Sequence, residues 1–405
     1  MVSTHQTRIP VIKRTTTHAM RRTTLLIAAM VAAILLASGA AFSQSAPAGD
    51  SNISSVSQGL CQGKPPTSAP NLPIMTRNLY LGANLDPVVE AVRTGTPADV
   101  FDAVSEAWAM IKSTDFPKRA ELLADEIEQN KPMLVGLQEV SLYRTGKFQD
   151  PTPATHEEFN YLDLLLGELN DRGMHYAPVA VTQNYDAEFA GFTSPGVAQD
   201  IRLTDRDVIL ARTDLPKSQL KVSNARAANF ATNASFPIGN SGQSFTLYRG
   251  WGSVDAKVED GTFRFINTHL EPESTNPAVN EIQVAQGNEI LSGPASTSLL
   301  PVILVGDFNS RADGTGTATY NNLIGAGFKD AWSATHPGEL GNTWGHDADL
   351  LNTTVNLTQR LDLVLFRNNL CAFKADVVGD ELKDRTPYGL WPSDHAGLVA
   401  TLRGE

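Results

Sequence analysis

The run Val302-Ile303-Leu304-Val305-Gly306-Asp307-Phe308-Asn309 constrains this chain more than any other. Four consecutive aliphatic residues suit a strand covered on both faces, which demands material above and below its sheet. Gly306 lets the backbone leave the strand without a Cβ clash. Asp307 and Asn309, two apart, then stand at the sheet edge, where both can point into a cleft. A lone copy has a bland reading, since Asp and Asn are common turn formers and Gly-Asp-Phe-Asn could be an Asx-turn and nothing more.

The same design recurs. Ile74-Met75-Thr76-Arg77-Asn78 delivers Asn78, and Met133 to Glu139 delivers Glu139. Phe263 to Glu271 delivers His269. Arg360-Leu361-Asp362-Leu363-Val364-Leu365-Phe366 carries an acid among aliphatics, and Ser393-Asp394-His395 precedes a last apolar run. In this order the motifs Asn, Gln-Glu, Thr-His, Gly-Asp-Phe-Asn, Leu-Asp and Ser-Asp-His resemble the endonuclease/exonuclease/phosphatase superfamily. Those metal-dependent phosphoesterases include deoxyribonuclease I, abasic-site endonucleases, neutral sphingomyelinases and inositol-polyphosphate phosphatases. The resemblance runs from about Ile74 to Leu402, and Thr343-Trp344 falls where many members carry Thr-Trp. It departs from some relatives two positions after Asn78, where Tyr80 replaces an acid and puts a second metal in doubt.

The pattern of single helices between strand pairs favours an α/β fold of the α+β type. The expected form is a four-layer sandwich, two packed mixed β-sheets flanked by helices, with the active site at one end. Convergence of the polar positions on that end is what the resemblance implies. Helices are expected over Pro97–Lys112, Pro117–Gln129, Glu157–Asp171 and Ala278–Leu291, and a single strand over Ser244–Val258. Long connections near Asn84–Thr96, Tyr143–His156, Asp186–Arg206, Ala225–Gly242 and His336–Asn356 would frame the cleft.

Residues 1–45 read as a leader. Arg8, Lys13, Arg14, Arg21 and Arg22 precede an apolar run from Leu25 to Ala37, followed by small residues. This is the pattern of a secretory signal peptide cleaved near residues 40–46; an uncleaved anchor is the alternative. A flexible Ser/Gly/Gln/Pro-rich lead-in over 46–73 then joins a domain over 74–402. The expected location is secreted or cell-envelope. Losing five basic and no acidic residues takes the formal charge from −12 to −17, which disfavours non-specific grip on a polyanion. Cys61 and Cys371 are the only cysteines, and the sequence leaves a disulfide and two free thiols equally open.

A phosphodiester repels hydroxide, so its hydrolysis needs positive charge, an activated water and a path for the leaving group. A hard divalent cation on oxygen ligands meets the first need. The resemblance makes Glu139 the central ligand, with Asn78 and Asp394 helping directly or through water, and Mg²⁺ or Mn²⁺ the cofactor. It makes Asp307 the base for the water, with Asn309 beside it. His269 and His395 become donors to phosphate oxygens, with Asp362 orienting His395. A strand-end carboxylate capping a turn is the bland alternative for Glu139, and a bonded strand-end histidine for His269. For Asp362 the bland reading is weaker, because an acid among aliphatics needs a partner, Arg360 being one candidate. His336 and His346 read as rim residues without a role.

The expected activity is a secreted metal-dependent phosphodiesterase acting by in-line water attack on nucleic acid, a phospholipid head group or a soluble phosphate ester. The alternatives are a sphingomyelinase-like phospholipase C, with Phe189–Phe192 as an apolar membrane-contact loop, and a soluble phosphate monoesterase. The non-enzyme alternative is a binding protein with an inactive site; Glu139, Asp307 and His395, all present, count against it. No stable protein partner is implied.

Overall fold

The computed structural model describes residues 59–61, 71–259, 261–296 and 299–404. The expected leader, and all but three residues of the stretch from 46 to 70, lie outside the described residues. Among these residues no helix is long and apolar enough to cross a membrane.

The first sheet is built from β1 (Leu72–Asn78), β2 (Leu134–Gln138), β3 (Leu142–Lys147), β4 (His156–Asn160), β5 (Tyr176–Ser194) and β6 (Val197–Arg212). The last strands of the chain, β15 (Leu370–Val378) and β16 (Gly397–Gly404), join it beside β1. Its order is β15-β16-β1-β2-β6-β3-β4, with β5 also pairing β6. The second sheet contains β7 (Lys221–Asn229), β10 (Gly250–Val258), β11 (Gly261–His269), β12 (Val302–Asp307), β13 (Lys329–Asp330) and β14 (Asp362–Arg367). Its order is β13-β14-β12-β11-β10-β7, and β8 (Ala234–Pro237) and β9 (Ser244–Leu247) make a separate hairpin.

Both sheets are mixed. The pairs β1–β2 and β11–β12 are parallel and their other neighbours antiparallel. Helices α1 (Asp86–Thr94), α2 (Pro97–Ser113), α3 (Phe116–Asn130) and α4 (Tyr161–Asp171) come from connections of the first sheet. Helices α5 (Pro277–Ser292), α6 (Thr319–Gly325) and α7 (Ala331–Thr335) come from the second. Thr96 starts α2 with a capping box to Asp99 and Pro97 at the first turn.

Strand alternation explains why the apolar runs are unbroken. Ile74, Leu134 and Ile209 pack between the sheets with Phe265, Ile303, Val305 and Val364. Their chain neighbours Met75, Val135, Val208 and Leu210 face the opposite way, against Leu123, Ile127 and Leu165 of the helices. On the far side Ile266, Leu304, Leu363 and Leu365 meet Ile290 and Leu323. Each central strand therefore buries both faces, and the expected four layers follow.

A buried amide pair links the central strands of the two sheets. Gln138 Nε2 donates to Asn267 Oδ1 at 2.6 Å, and Asn267 Nδ2 donates to the carbonyls of Leu137 at 2.9 Å and Val208 at 3.3 Å. Both side chains are buried. Gly136 makes room for it, since a Cβ there would lie 2.5 Å from Asn267 Oδ1.

Local expectations fail where chain and pairing compete. Residues 157–160, expected to be helical, form β4 against β3, and α4 begins only at Tyr161. The strand expected over Ser244–Val258 is broken into β9 and β10 at Tyr248-Arg249. The expected loop at Phe189–Phe192 is part of β5, paired to β6. Phe189 packs in the first helical layer, and Phe192 lies edge-on to Phe101 of α2 at 4.8 Å while remaining partly exposed. Residues 84–96, expected as a connection, hold α1.

Cys61 and Cys371 form a disulfide spanning 310 positions, fixing the segment before β1 to β15, where Cys61 N also donates to Ala372 O at 3.0 Å. Reducing this disulfide is expected to cost about 2–4 kcal/mol, read as a lower urea midpoint in dithiothreitol. Asn267→Ala leaves one N–H of the buried Gln138 amide unpaired, Thr76 Oγ1 keeping the other, and is expected to destabilise by about 1–3 kcal/mol in the same assay; an unchanged midpoint would refute the importance of the inter-sheet contact.

Candidate active site

Strand registers bring the polar positions together. His269 lies opposite Asp307, and Asp307 opposite Asp362, so β11, β12 and β14 present three site residues abreast. On the other sheet Asn78 pairs with Gln138, which puts Glu139 one residue past the edge. Glu139 turns into the cleft with φ of 57°. Gly306 is indispensable: at φ of 148°, an added Cβ would sit 2.0 Å from Thr268 O.

Asp307 Oδ2 is the hub. Asn78 Nδ2 donates to it at 3.2 Å, and the Nε2 atoms of His269 and His395 lie 3.5 Å and 3.6 Å away. The same Asn78 amide donates to Glu139 Oε1 at 3.1 Å, and Leu81 N donates to Glu139 Oε2 at 2.6 Å. Asn78 Oδ1 accepts from Tyr80 N, which leaves one lone pair on that oxygen. Asn309 does form the Asx-turn, with its N donating to Asp307 Oδ1 at 2.9 Å and its side-chain amide to Leu270 O.

His395 Nδ1 is bonded to Asp362 Oδ2 at 2.8 Å. Thr343 Oγ1 accepts from the backbone N of both Leu361 and Asp362, so the Thr-Trp motif holds the start of β14. Arg360, the candidate partner of Asp362, instead pairs with Asp330 at 2.5 Å. Two buried arginines tie the arms of the site. Arg77 is paired with Glu126 and donates to His395 O at 2.5 Å. Arg119 donates to Leu79 O and Pro392 O, joining the end of β1 to the segment before Asp394. His336 stacks on Trp332, and His346 stacks on Trp391 and lines the cleft.

The two histidines differ in charge. Burial works against a proton on His395, but the carboxylates of Asp362, Asp394 and Asp307 outweigh it and push the ring up to about 10. His269 is held well below the ordinary value by burial, then by Arg249, whose Nη1 lies 2.9 Å from Nδ1. Burial pushes Asp307 up to about 7 against the pull of His395, near the pH where a general base works best.

Sequence reasoning passed over four of the residues found here. Asp205 and Asp207, inside β6 where its pairing passes from β3 to β2, face the site; Asn184 Nδ2 donates to both, and Asp207 lies 3.9 Å from His269 Nδ1. Burial raises the carboxyls of both, Asp205 to about 6. Arg249 and Glu271 complete this side, 3.9 Å apart. The signal existed: Asp205-Arg206-Asp207 abuts Val208-Ile209-Leu210, two acids two apart beside an apolar run, as at Asp307 and Asn309.

Two sets of donors could hold a cation. Asp307, Asp362 and His395 place ligand atoms within 4.8 Å of one another. A cation among them would have to break the His395–Asp362 bond. Glu139 and Asp394 instead line the cleft, offer hard carboxylate oxygens, and form no ion pair among the described residues. That set fits a divalent ion without dismantling anything.

The model of the "Endonuclease/Exonuclease/phosphatase family" matches residues 110–395. The chain belongs to this family. It is a metal-dependent hydrolase of phosphoester bonds, as the members of this family are. No curated protein matches the chain. Among solved structures it is similar to an endonuclease/exonuclease/phosphatase from Bacteroides vulgatus, at 15% identity and a TM-score of 0.48, covering 83% of this chain and 100% of that one. A second, from Beutenbergia cavernae, gives 18% and 0.49 over 82% and 72%. D. rerio TDP2, solved with a single-stranded DNA product, gives 17% and 0.49 over 82% and 98%.

The charge on His395 is testable by NMR. The wild-type imidazole is expected to stay protonated beyond pH 8, and Asp362→Asn to bring its pKa down from about 10 toward 6.5. Because the folded-state value is the higher, this proton stabilises the fold fully below pH 6.5, and the contribution is lost as pH rises through 10. A variant ring still titrating near 10 would show that Asp362 is not the cause.

Proposed function

We propose that this chain is a secreted phosphodiesterase that hydrolyses its ester by in-line attack of water. The observation that carries the reading is the hub at Asp307, flanked by two histidines and joined through one Asn78 amide to Glu139. Glu139 would hold the cation with Asp394, and Asn78 would fix Glu139 and lend its remaining lone pair directly or through a water. Mg²⁺ or Mn²⁺ suits these oxygens, and such an ion supplies positive charge to the phosphate.

Asp307 accepts the proton of the attacking water, and Asn309, held at the strand end, steadies that water or a phosphate oxygen. His395, charged by Asp362, donates to an oxygen that gains charge as the leaving bond breaks. His269 serves from the other side as a neutral donor through Nε2, with Arg249 on its far nitrogen. Secretion rests on the leader and agrees with a disulfide, which persists in oxidising compartments.

The test is hydrolysis of bis-p-nitrophenyl phosphate with Mg²⁺ or Mn²⁺. Glu139→Gln, Asp307→Asn and His395→Ala are each expected to lower kcat/KM by roughly 10²–10⁴ with unchanged circular dichroism. EDTA should abolish turnover and added metal restore it. Wild-type rates in all three variants, or full activity after chelation, would remove the assignment.

A further inference from the structure

The site opens into a cleft of about 630 Å³, within the range of pockets that hold a single small molecule. One end is the Glu139–Asp394 edge. Leu81, Leu85, Val88, Leu203, Phe236 and Leu247 line much of the rest. Beside it is a smaller, half-open pocket of about 50 Å³ lined by Trp108, Ile111 and Phe189, and Leu85, Val88, Tyr185 and Leu203 line both spaces.

Helix α1 is the unusual wall. A surface helix ordinarily buries its apolar stripe. No residue of α1 is fully buried; Val88 packs in part on the first helical layer, and Val88 and Val89 line the cleft. Charge restricts what can cover them. Arg249 is the one basic side chain among the described residues lining the cleft, and it is already engaged with His269 and Glu271. Carboxylates of Asp86, Asp205, Glu271 and Glu273 share the same walls. A polyanionic strand needs Lys or Arg along its track and would be repelled here.

We infer that the cleft binds the uncharged alkyl or aryl substituent of a single phosphodiester, laid along α1. The substrate class is thus an ester with one phosphate and one apolar group. This rests on the phosphodiesterase reading above and adds the specificity element to it. Val88, Leu203 and Leu247 choose the substituent, while the Glu139 and Asp307 edge handles the phosphate.

The experiment is a series of alkyl p-nitrophenyl phosphodiesters, methyl to hexyl, hydrolysed by the metal-loaded protein. The leaving group is constant, so any trend reports the alkyl group. Each methylene buried favours binding several-fold, and kcat/KM is expected to rise on the order of 10²-fold from methyl to hexyl. Val88→Asp should flatten that rise and Val88→Ile should keep it. Val89→Asp replaces Val88→Asp if that variant loses its circular dichroism. Dihexanoylphosphatidylcholine separates the sources: its turnover assigns the group to a lipid, its refusal to a soluble ester, and both uphold an apolar occupant. Equal rates for methyl and hexyl esters overturn the inference and leave the phosphodiesterase reading intact. Preference for an oligonucleotide over the hexyl ester overturns it in favour of a nucleic acid. No turnover of any phosphodiester removes the underlying reading, and the inference with it.

Discussion

The buried amide pair Gln138–Asn267 is the constraint on which the site depends. The reacting groups come from two sheets that share no backbone hydrogen bond between their central strands, and apolar packing alone tolerates sliding. A hydrogen bond of 2.6 Å in a dry interior does not, because a displaced partner leaves a buried amide unsatisfied. Gln138 precedes Glu139, and Asn267 stands two residues before His269. Fixing that pair fixes the cation edge of one sheet against the base and donor edge of the other.

Electrostatics then sorts chemically similar groups. Asp362, Asp394 and Asp307 surround His395 and outweigh its burial to keep it charged, whereas burial, and then Arg249, keeps His269 neutral. Two buried histidines thus acquire opposite states from the charges placed beside them. The negative charge concentrated at Glu139, Asp205, Asp207 and Asp394 is what a divalent cation would relieve.

Much of the architecture was legible because burying both faces of a strand leaves an unbroken aliphatic run. Val302–Val305, Met133–Leu137 and Leu363–Phe366 each show it, and each ends at or starts from a polar residue that proved to face the site. Asp205 and Asp207 were passed over because they lie inside β6, where its partner changes from β3 to β2, and no strand end marks them. Arg249 gave no signal at all: it sits in an irregular step between β9 and β10 and matters only because β10 pairs with β11. The β4 segment misled for the opposite reason, since Glu157 and Glu158 favour helix locally while pairing with β3 imposes a strand.

The sequence by itself determined which segments form the central strands, that both sheets would be covered, and which carboxylates, amides and imidazoles stand at their ends. Those follow from periodicity and from the cost of burying polar atoms, which act over a few residues. Only the tertiary structure decided that Asp362 serves His395 while Arg360 serves Asp330, that Asn78 bridges Glu139 and Asp307, and that α1 lines the cleft at the site. It also decided between thiols and a disulfide for Cys61 and Cys371. Each is a choice of partner among groups far apart in the chain, set by strand order and register, and no local pattern encodes that choice.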